Sequence, residues 1–590
     1  MAQILKHHVL IIAVGSVVLF TNLGAARLWD RDEPRNAGCA AEMMARGDWV
    51  VPVFNGELRT AKPVLLYWLI MSAYSLFGFN EFAARFWSAL LGLGTVLATY
   101  HLGRRLFNAQ VAVWAAMLLI ASLMFNVSSR ASTPDSPLIF FSTLGILVYV
   151  YTGFPGLSRS WWAYVLMYAM LGMGVLAKGP VGVVLPVAVI GMHLLIKRLP
   201  NREVVDAGRA QSVQRGSWSW ERLGKFATPF VRPFAPVHFL RTVWAMRPLT
   251  AIGSIGMIAL PWYVWVAART DGLWIERFLW VENFGRATAS MENHSGTPLY
   301  YFVVLLAGFF PASLLIWPAF RNAVEQLRQQ GKTYDAYLLL CCWVGVYVGI
   351  FTLAQTKLPN YITPCYPALA LLSACFVQNW LCGKFSWSLA RIRVGQMIYG
   401  LVGVLLALGL LVAAREYLPG DKVVWLIGVV PLSGAVACLL LLHYERRRVM
   451  MATFVATGIL FCWFLFGLVT SRVAKHQQNH LLFEKVATDH SQSRLASYRC
   501  LEPSWVFYSG QRIRPFGNDS LATASFLNAS SDHYVITTEH HFQDLQLRVS
   551  ERVGVLEEVP YFLKKHRLVL LGHVRPAHLT AGIETHKDRN

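Results

Sequence analysis

The 590-residue chain is 55% hydrophobic and only 14% charged, with a mean hydropathy of +0.44. This excess of apolar residues excludes an ordinary soluble protein and indicates a polytopic membrane protein. The net charge of +21 does not indicate nucleic-acid binding, because the basic residues cluster in short loops between apolar segments, as expected for cytoplasmic loops.

The first apolar segment, near residues 8–26, is predicted to be a retained membrane helix, because no cleavage site leads from it into a soluble domain. The segment "RDEPRNAGCAAEMMARGDW" follows it. Pro34 and the alanines after it predict a short amphipathic helix that begins at Asp32 and Glu33. Arg35 lies in the predicted first turn, where backbone N–H groups favour an anion, so it is a candidate phosphate ligand. A solvated helix start with ordinary cap charges explains this pattern equally well.

Thirteen apolar segments are long enough to cross a bilayer as helices. They lie near residues 8–26, 83–103, 110–128, 136–153, 161–177, 180–196, 248–268, 298–318, 334–354, 361–381, 396–413, 423–442 and 452–470. A further apolar stretch, residues 63–79, would reach only about 25 Å as a helix. If it crossed the membrane, the later basic loops would face outward, so we predict that it lies along the membrane surface. The N-terminus then faces the cytoplasm.

Residues 1–472 are therefore predicted to form a helical membrane domain with an outer loop at 27–80 and a basic cytoplasmic loop at 197–247. The cytoplasmic loop mixes basic and aromatic residues, which suits contact with anionic lipid and also an ordinary positive-inside loop. Residues 473–590 are polar and contain the β-like runs "SWVFYSG", "HYVIT" and "RLVLLGHV". They predict a small soluble α/β domain on the outer side.

The predicted outer loops contain charged residues that are candidates for a functional site. Asp135 follows Pro134 at the start of a span and supplies a second carboxylate on the same face as Asp32. Such a pair offers a general base, or stabilises positive charge at a sugar carbon. Each cation on this face could by itself be an ordinary loop charge. Together they suit a phosphate-bearing lipid: Lys62, Lys178, Arg286 and Lys357.

His294, in "MENHSG", is a candidate metal ligand alongside Glu33 or Asp32. No pair of these residues has a spacing that is diagnostic of a metal site, and an exposed or hydrogen-bonded histidine explains the sequence better. The chain has no P-loop, GxSxG or CxxC motif.

Several segments, in chain order, carry a family resemblance. They are "RDEPRNA", "GDWVVPVFNGELRTAKPVLLYWL", "LAKGP", "WVENFGRA" and "TKLPNYITPCYPALALL", within roughly the first 380 residues. They resemble the GT-C class of membrane glycosyltransferases, which use lipid-phosphate-linked sugars. Within that class they look most like the bacterial lipid A 4-amino-4-deoxy-L-arabinose transferases, with protein O-mannosyltransferases as more distant relatives.

The resemblance implies a GT-C fold and transfer of the aminosugar from undecaprenyl phosphate to a lipid A phosphate. It places the reaction on the periplasmic face of the bacterial inner membrane, in a chain expected to be a monomer among membrane lipids. It implies catalytic roles for Asp32 and Asp135 and donor binding by Lys62. Glu33 is a third candidate catalytic carboxylate. No cofactor is required, although a divalent metal is an option. Ala61 stands where many relatives carry an acidic residue, so no role of that acid is expected.

Two other functions are compatible with the sequence. A related glycosyltransferase could move a polyprenyl-phosphate-linked sugar to a protein or another glycan. A lipid flippase or transporter would also have many spans and a charged, lipid-sized site. The missing inverted repeats and the location of the charges on one predicted face argue against a transporter.

Overall fold

The structure, a computed structural model, describes residues 2–154, 160–199, 232–285, 296–489 and 494–574. Its larger part is a bundle of helices with a continuous apolar core. In this described part, ten helices are long and apolar enough to cross a membrane. They are Ala2–Phe20, Glu81–Leu106, Asp135–Thr152, Trp161–Lys178, Pro248–Arg269, Tyr334–Leu353, Pro359–Leu381, Leu389–Tyr417, Lys422–His443 and Arg447–Ala474.

Two further pairs of helices are apolar enough to cross a membrane only when each pair is taken together, and each pair is bent as in a broken span or a re-entrant loop. Ala109–Ile120 meets Leu123–Arg130 at 69°, and Tyr300–Gly308 meets Ala312–Gln329 at 113°. With the shorter apolar helix Val181–Lys197, each of the thirteen predicted spans corresponds to a helix or a bent pair. The predicted polytopic helical fold is therefore confirmed.

The bend after Ile120 was not predicted from the sequence. The Asn126 amide donates to the carbonyls of Ile120 at 2.7 Å and Ser122 at 2.9 Å. The Leu123 N–H donates to the carbonyl of Phe310 in the other bent span at 3.1 Å. Backbone groups released from a helix inside the apolar bundle need such partners, so these bonds make the break tolerable.

Two short helices and a hairpin lie between the helices Ala2–Phe20 and Glu81–Leu106. The helices are Asp32–Ala45 and Leu65–Phe77, and the hairpin pairs β1 (Val53–Phe54) with β2 (Glu57–Leu58). Its two-residue turn is Asn55–Gly56, with φ of 57° and 74°, the conformation of a type I′ turn. Leu65–Phe77 has 13 residues, about 20 Å of helix, which is too short to cross the bilayer.

The remaining helices of the membrane part are short. They are Pro236–Ala245 and Leu273–Glu276, the latter continued by π-helical turns over Arg277–Gly285. Most of the predicted cytoplasmic loop, residues 200–231, lies outside the described residues.

A mixed five-stranded sheet forms the centre of the C-terminal domain. Its strands are β3 (Arg494–Ser497), β4 (Ile513–Pro515), β5 (His533–Thr538), β6 (Val553–Pro560) and β7 (Arg567–His573), in the order β4-β3-β5-β7-β6. β3, β4 and β5 are parallel, and β7 is antiparallel to both of its neighbours. The helices are His480–Asp489, Pro503–Ser509, Ser520–Ala529 and Glu539–Gln546. The predicted small α/β domain is confirmed.

One predicted strand is wrong. "HYVIT" and "RLVLLGHV" fall in β5 and β7, but "SWVFYSG" forms the helix Pro503–Ser509. Its apolar run is too short for its periodicity to distinguish a buried strand from a buried helix. Pro503 lies in the first helical turn, where proline is favoured.

Candidate active site

The predicted acidic helix exists, and its first two residues have different surroundings. Asp32 and Glu33 begin the helix Asp32–Ala45. Asp32 is exposed, whereas Glu33 is only 6% exposed. Adjacent residues of a helix point in different directions, so one acidic side chain remains accessible while the other is buried.

Glu33 is saturated by hydrogen bonds. Its carboxylate accepts from Arg85 Nε at 2.8 Å and from an Arg85 terminal nitrogen at 2.7 Å. It also accepts from the backbone N–H groups of Trp29 at 2.9 Å and Ser132 at 2.8 Å. Burial alone would raise the pKa of Glu33, but the Arg85 guanidinium and these hydrogen bonds hold that pKa below its ordinary value. This geometry supports a structural role for Glu33 rather than the catalytic or metal-binding role expected from the sequence.

Asp135 and Lys178 form a buried ion pair. Asp135 is the first residue of Asp135–Thr152, and Lys178 is the last residue of Trp161–Lys178. Lys178 donates a hydrogen bond to one oxygen of Asp135, and Asn360 donates to the other at 2.8 Å. Lys62 also interacts electrostatically with Asp135. Three predicted site residues are therefore brought together.

Glycine contacts set the position of Lys178. Gly179 ends its helix with φ of 79°, which L-residues with a side chain rarely adopt. A Cβ on Gly182 would lie 2.2 Å from the backbone of Gly174, so the helices on either side of the turn cross in direct backbone contact. The Lys178 ammonium is thereby directed toward Asp135 and the ring of Tyr361, 5.3 Å away.

A cavity of about 220 Å³ opens beside this pair. Its polar lining comes from Lys62, Lys178, Glu282, Asn283, Thr356 and Tyr361, and its apolar lining from Leu138, Val181, Phe278, Ile350 and Phe351. Two ammonium groups next to an apolar wall between helices suit the phosphate and the first isoprenoid units of a lipid phosphate. A second cavity, of about 330 Å³, lies at the Glu33–Arg85 pair and is otherwise mainly apolar.

Arg59 is a site residue that the sequence did not reveal. Its guanidinium donates to the Tyr67 hydroxyl at 3.0 Å and to the Asn36 amide oxygen at 3.0 Å. Burial lowers its pKa, but Tyr67, Cys39 and Asp32 raise it more, so the pKa of Arg59 is above its ordinary value. Arg59 thus interacts with Asp32 while Lys62, three residues later, interacts with Asp135. The segment 59–62 connects the two carboxylates.

Arg85 was also missed, although the sequence contains a signal for it. It is a charged residue near the start of an apolar span, and such residues seldom lack a structural or functional partner. Arg59 has no such signal, because a charged residue in a polar loop is unremarkable.

Lys357 differs from the expectation. It is 6% exposed, and its ammonium donates to the carbonyls of Thr352 at 2.8 Å and Ala354 at 3.0 Å. Those carbonyls close the helix Tyr334–Leu353, whose C-terminal end attracts a cation. The geometry supports a capping role rather than a direct phosphate contact.

Three other residues are predicted to belong to the site: Arg35, Arg286 and His294. Arg35 is half-buried and interacts electrostatically with Asp30. Arg286 and His294 lie outside the described residues. Among the residues that the structure describes, no three His, Cys, Asp or Glu side chains come together in a way that could hold a metal ion. With its oxygens occupied, Glu33 does not fit the expected metal ligand.

Comparisons with known proteins identify the family of the chain. The sequence profile of the family described as dolichyl-phosphate-mannose-protein mannosyltransferase matches residues 61–206. An undecaprenyl phosphate-alpha-4-amino-4-deoxy-L-arabinose arabinosyl transferase from Edwardsiella ictaluri is 30% identical over 444 residues, covering 75% of this chain and 67% of the relative. The chain belongs to this arabinosyl transferase family. The resemblance predicted from the sequence is confirmed.

Other members of the arabinosyl transferase family match over similar regions. The Yersinia pestis enzyme is 26% identical over 477 residues, covering 79% of this chain and 77% of the relative. The chain spans about two thirds of several curated relatives, from 64% to 67% of those from Aquifex aeolicus, Edwardsiella ictaluri and Photorhabdus laumondii.

The fold is also that of a solved family member. The crystal structure of ArnT from Cupriavidus metallidurans bound to undecaprenyl phosphate aligns with a TM-score of 0.73 and 21% identity, covering 95% of this chain and 97% of that one. This agreement over nearly the full length of both chains confirms the predicted GT-C fold, including the C-terminal domain.

Proposed function

We propose that this chain transfers 4-amino-4-deoxy-L-arabinose from undecaprenyl phosphate to a phosphate group of lipid A. The observation that carries the proposal is the cavity where Lys62 and Lys178 lie beside Asp135, connected through the segment 59–62 to the exposed Asp32. Family membership adds the identity of the sugar and its carrier, because the relatives' names state both.

The proposed reaction needs no proton transfer. An oxygen of the acceptor phosphate forms a bond to the anomeric carbon of the sugar, while the bond from that carbon to the undecaprenyl phosphate oxygen breaks. The electron pair leaves with undecaprenyl phosphate, so one phosphodiester and one phosphomonoester are consumed and one of each is formed. Phosphate is already ionised near neutral pH, so the acceptor needs no general base.

Lys62 and Lys178 are proposed to hold the donor phosphate and to stabilise the charge that develops on it as it leaves. Asp135 fixes Lys178 in place. Arg35, in the first turn of the acidic helix, and Arg286, which lies outside the described residues, are proposed as further phosphate contacts. Glu282 lines the same cavity, and its carboxylate offers a partner for the ammonium group of the aminosugar.

Asp32 is proposed to face the sugar. Positive charge develops at the anomeric carbon as the bond to phosphate breaks, and an exposed carboxylate stabilises it. The second cavity is lined by Glu33, the residue that follows Asp32, and by Arg85. It is proposed as an apolar approach for the acceptor lipid. The reaction is proposed to occur on the periplasmic face of the inner membrane, in a monomeric chain and without a required metal.

Mass spectrometry of lipid A tests this function. A strain that carries the gene is expected to add aminoarabinose to lipid A, and a deletion strain to lose it. Unmodified lipid A in both strains, with the sugar found on a protein or another glycan, would favour the second candidate function. The match of residues 61–206 of this chain to the protein mannosyltransferase profile is the observation that favours this second candidate.

A further inference from the structure

The C-terminal domain contacts the chain segment that leads into Asp32. The Leu28 N–H donates to the Tyr508 hydroxyl at 2.8 Å, and that hydroxyl donates to Glu81 at 3.0 Å. The guanidinium of Arg27 lies over the Tyr508 ring, 5.2 Å from its centre. One tyrosine of the C-terminal domain therefore joins the segment before the acidic helix to the start of the helix Glu81–Leu106.

Asp30 makes a second contact, two residues before Asp32. Its carboxylate accepts a hydrogen bond from the N–H of Ser504 at 2.8 Å, in the first turn of the helix Pro503–Ser509. The first-turn N–H groups of a helix have no partner within the helix, so a residue of the membrane domain caps a helix of the C-terminal domain.

Two further contacts fix the domain on the surface elements. The Asn55 amide exchanges a pair of hydrogen bonds with the backbone of Ile513, at 2.9 and 2.8 Å, as a neighbouring strand would. Phe79 stacks on Phe507 with ring centres 4.9 Å apart. The domain is thus held at several points around the acidic helix rather than by its chain connection alone.

Asp32 lies between two anchors. On one side, Leu28 and Asp30 are held by the C-terminal domain. On the other side, Glu33 is held by Arg85 and by the N–H of Ser132. Asp32 is exposed and interacts electrostatically with Arg59, and its place in the chain between these two anchors restricts its direction.

We infer that the C-terminal domain positions Asp32 for sugar transfer, with Tyr508 and Asp30 as the positioning residues. This inference rests on the proposed function, because Asp32 matters only if it acts on the sugar. The domain then contributes to the active site through the position of Asp32.

The test compares two conservative variants of tyrosines in the same domain. Tyr508→Phe removes the hydroxyl that joins Leu28 to Glu81 and keeps the ring. Tyr498→Phe removes a hydroxyl in the core on the other face of the sheet. In the full-length protein, Tyr508→Phe is expected to lower kcat about ten- to hundredfold and to leave the KM for the lipid-linked donor unchanged. Tyr498→Phe is expected to keep the wild-type kcat.

Hydrogen exchange of the same variants separates this inference from the proposed function. Tyr508→Phe is expected to speed exchange of the amides of residues 27–32 and to leave the remaining membrane helices unchanged. Unchanged exchange in this segment, or a wild-type kcat, would overturn the positioning role. A wild type that transfers no aminosugar, together with faster exchange in Tyr508→Phe, would instead overturn the proposed function.

Asp30 provides a second route if Tyr508→Phe fails to fold. Asp30→Ala removes the acceptor for the Ser504 N–H and is expected to reproduce the loss of kcat. Asp30→Asn retains an acceptor oxygen and is expected to restore most of it. Equal kcat in the alanine and asparagine variants would contradict the role of this cap.

Discussion

Lys178, the last residue of one membrane helix, donates a hydrogen bond to Asp135, the first residue of another. Both side chains are nearly inaccessible to solvent, and Asn360 occupies the second carboxylate oxygen. The pair fixes two helix ends beside the cavity that Lys178 lines, and in the proposed function it also positions Lys178 for the donor phosphate.

Breaking this pair from one side is predicted to destabilise the protein. Lys178→Met leaves a buried carboxylate without its cation, which typically costs about 3–5 kcal/mol. The double variant Asp135→Asn, Lys178→Met removes both charges and is expected to recover part of that loss. Thermal unfolding in detergent measures both effects. A double variant less stable than Lys178→Met would contradict the ion-pair explanation.

Lys62 and Lys357 are predicted to differ although both were expected to bind phosphate. Lys62→Met removes a cavity cation and is expected to weaken binding of undecaprenyl phosphate about ten- to hundredfold, with little change in melting temperature. Lys357→Met removes a helix cap and is expected to lower the melting temperature while the folded fraction keeps its affinity. Binding and melting measured on each variant check this. Loss of donor affinity in a stable Lys357→Met variant would restore Lys357 as a ligand.

The Glu33–Arg85 pair is predicted to make the stability of the fold decrease at acidic pH. The pKa of Glu33 is lowered in the folded protein, so its contribution is present above the ordinary carboxyl pKa of 4.5 and is lost as the pH falls through the lowered value. The wild type is therefore expected to lose stability below about pH 4. Glu33→Gln should be less stable at pH 7 and show a weaker dependence in acid. Parallel melting curves of both proteins between pH 7 and 3 would contradict this.

Arg59 is predicted to affect turnover through Asp32. Arg59→Met removes the cation beside Asp32 and the hydrogen bonds to Tyr67 and Asn36, so kcat is expected to fall at least about tenfold. Arg59→Lys keeps the charge but not the planar arrangement of donors, and should recover only part of the activity. Steady-state kinetics with the lipid-linked donor provide the measurement. Wild-type kcat in Arg59→Met would remove Arg59 from the site.

Much of the fold could be predicted because its signals are local. Three signals can be read from residues close together in the sequence: the lengths of the spans, the charge of the loops, and the proline that follows Asp32 and Glu33. The bend after Ile120 could not be predicted, because its stability depends on Asn126 and on a carbonyl from a distant span. The helix Pro503–Ser509 was missed because its short apolar run suits a strand as well as a helix, and the carboxylate that accepts from its first turn belongs to Asp30, 474 residues away.

The candidate site was predictable in its residue types and less so in their roles. Lys62, Asp135 and Lys178 come together as expected. Glu33 and Lys357 carry the expected charges, but Glu33 pairs with Arg85 and Lys357 binds the carbonyls at a helix end. Sequence patterns do not distinguish a charged side chain that faces a cavity from one that is paired with a buried group. The difference depends on which residues the tertiary structure brings close to that side chain.

The central claim is tested most directly by sugar transfer in a purified system. The protein and its Asp32→Asn variant, reconstituted in lipid, are given undecaprenyl-phosphate-linked aminoarabinose and lipid A, and the products are measured by mass spectrometry. The wild type is expected to form aminoarabinose-modified lipid A and undecaprenyl phosphate in equal amounts, and Asp32→Asn to bind the donor normally but transfer at least about a hundredfold more slowly. Transfer at the wild-type rate by Asp32→Asn, or no modified lipid A from the wild type, would contradict the account.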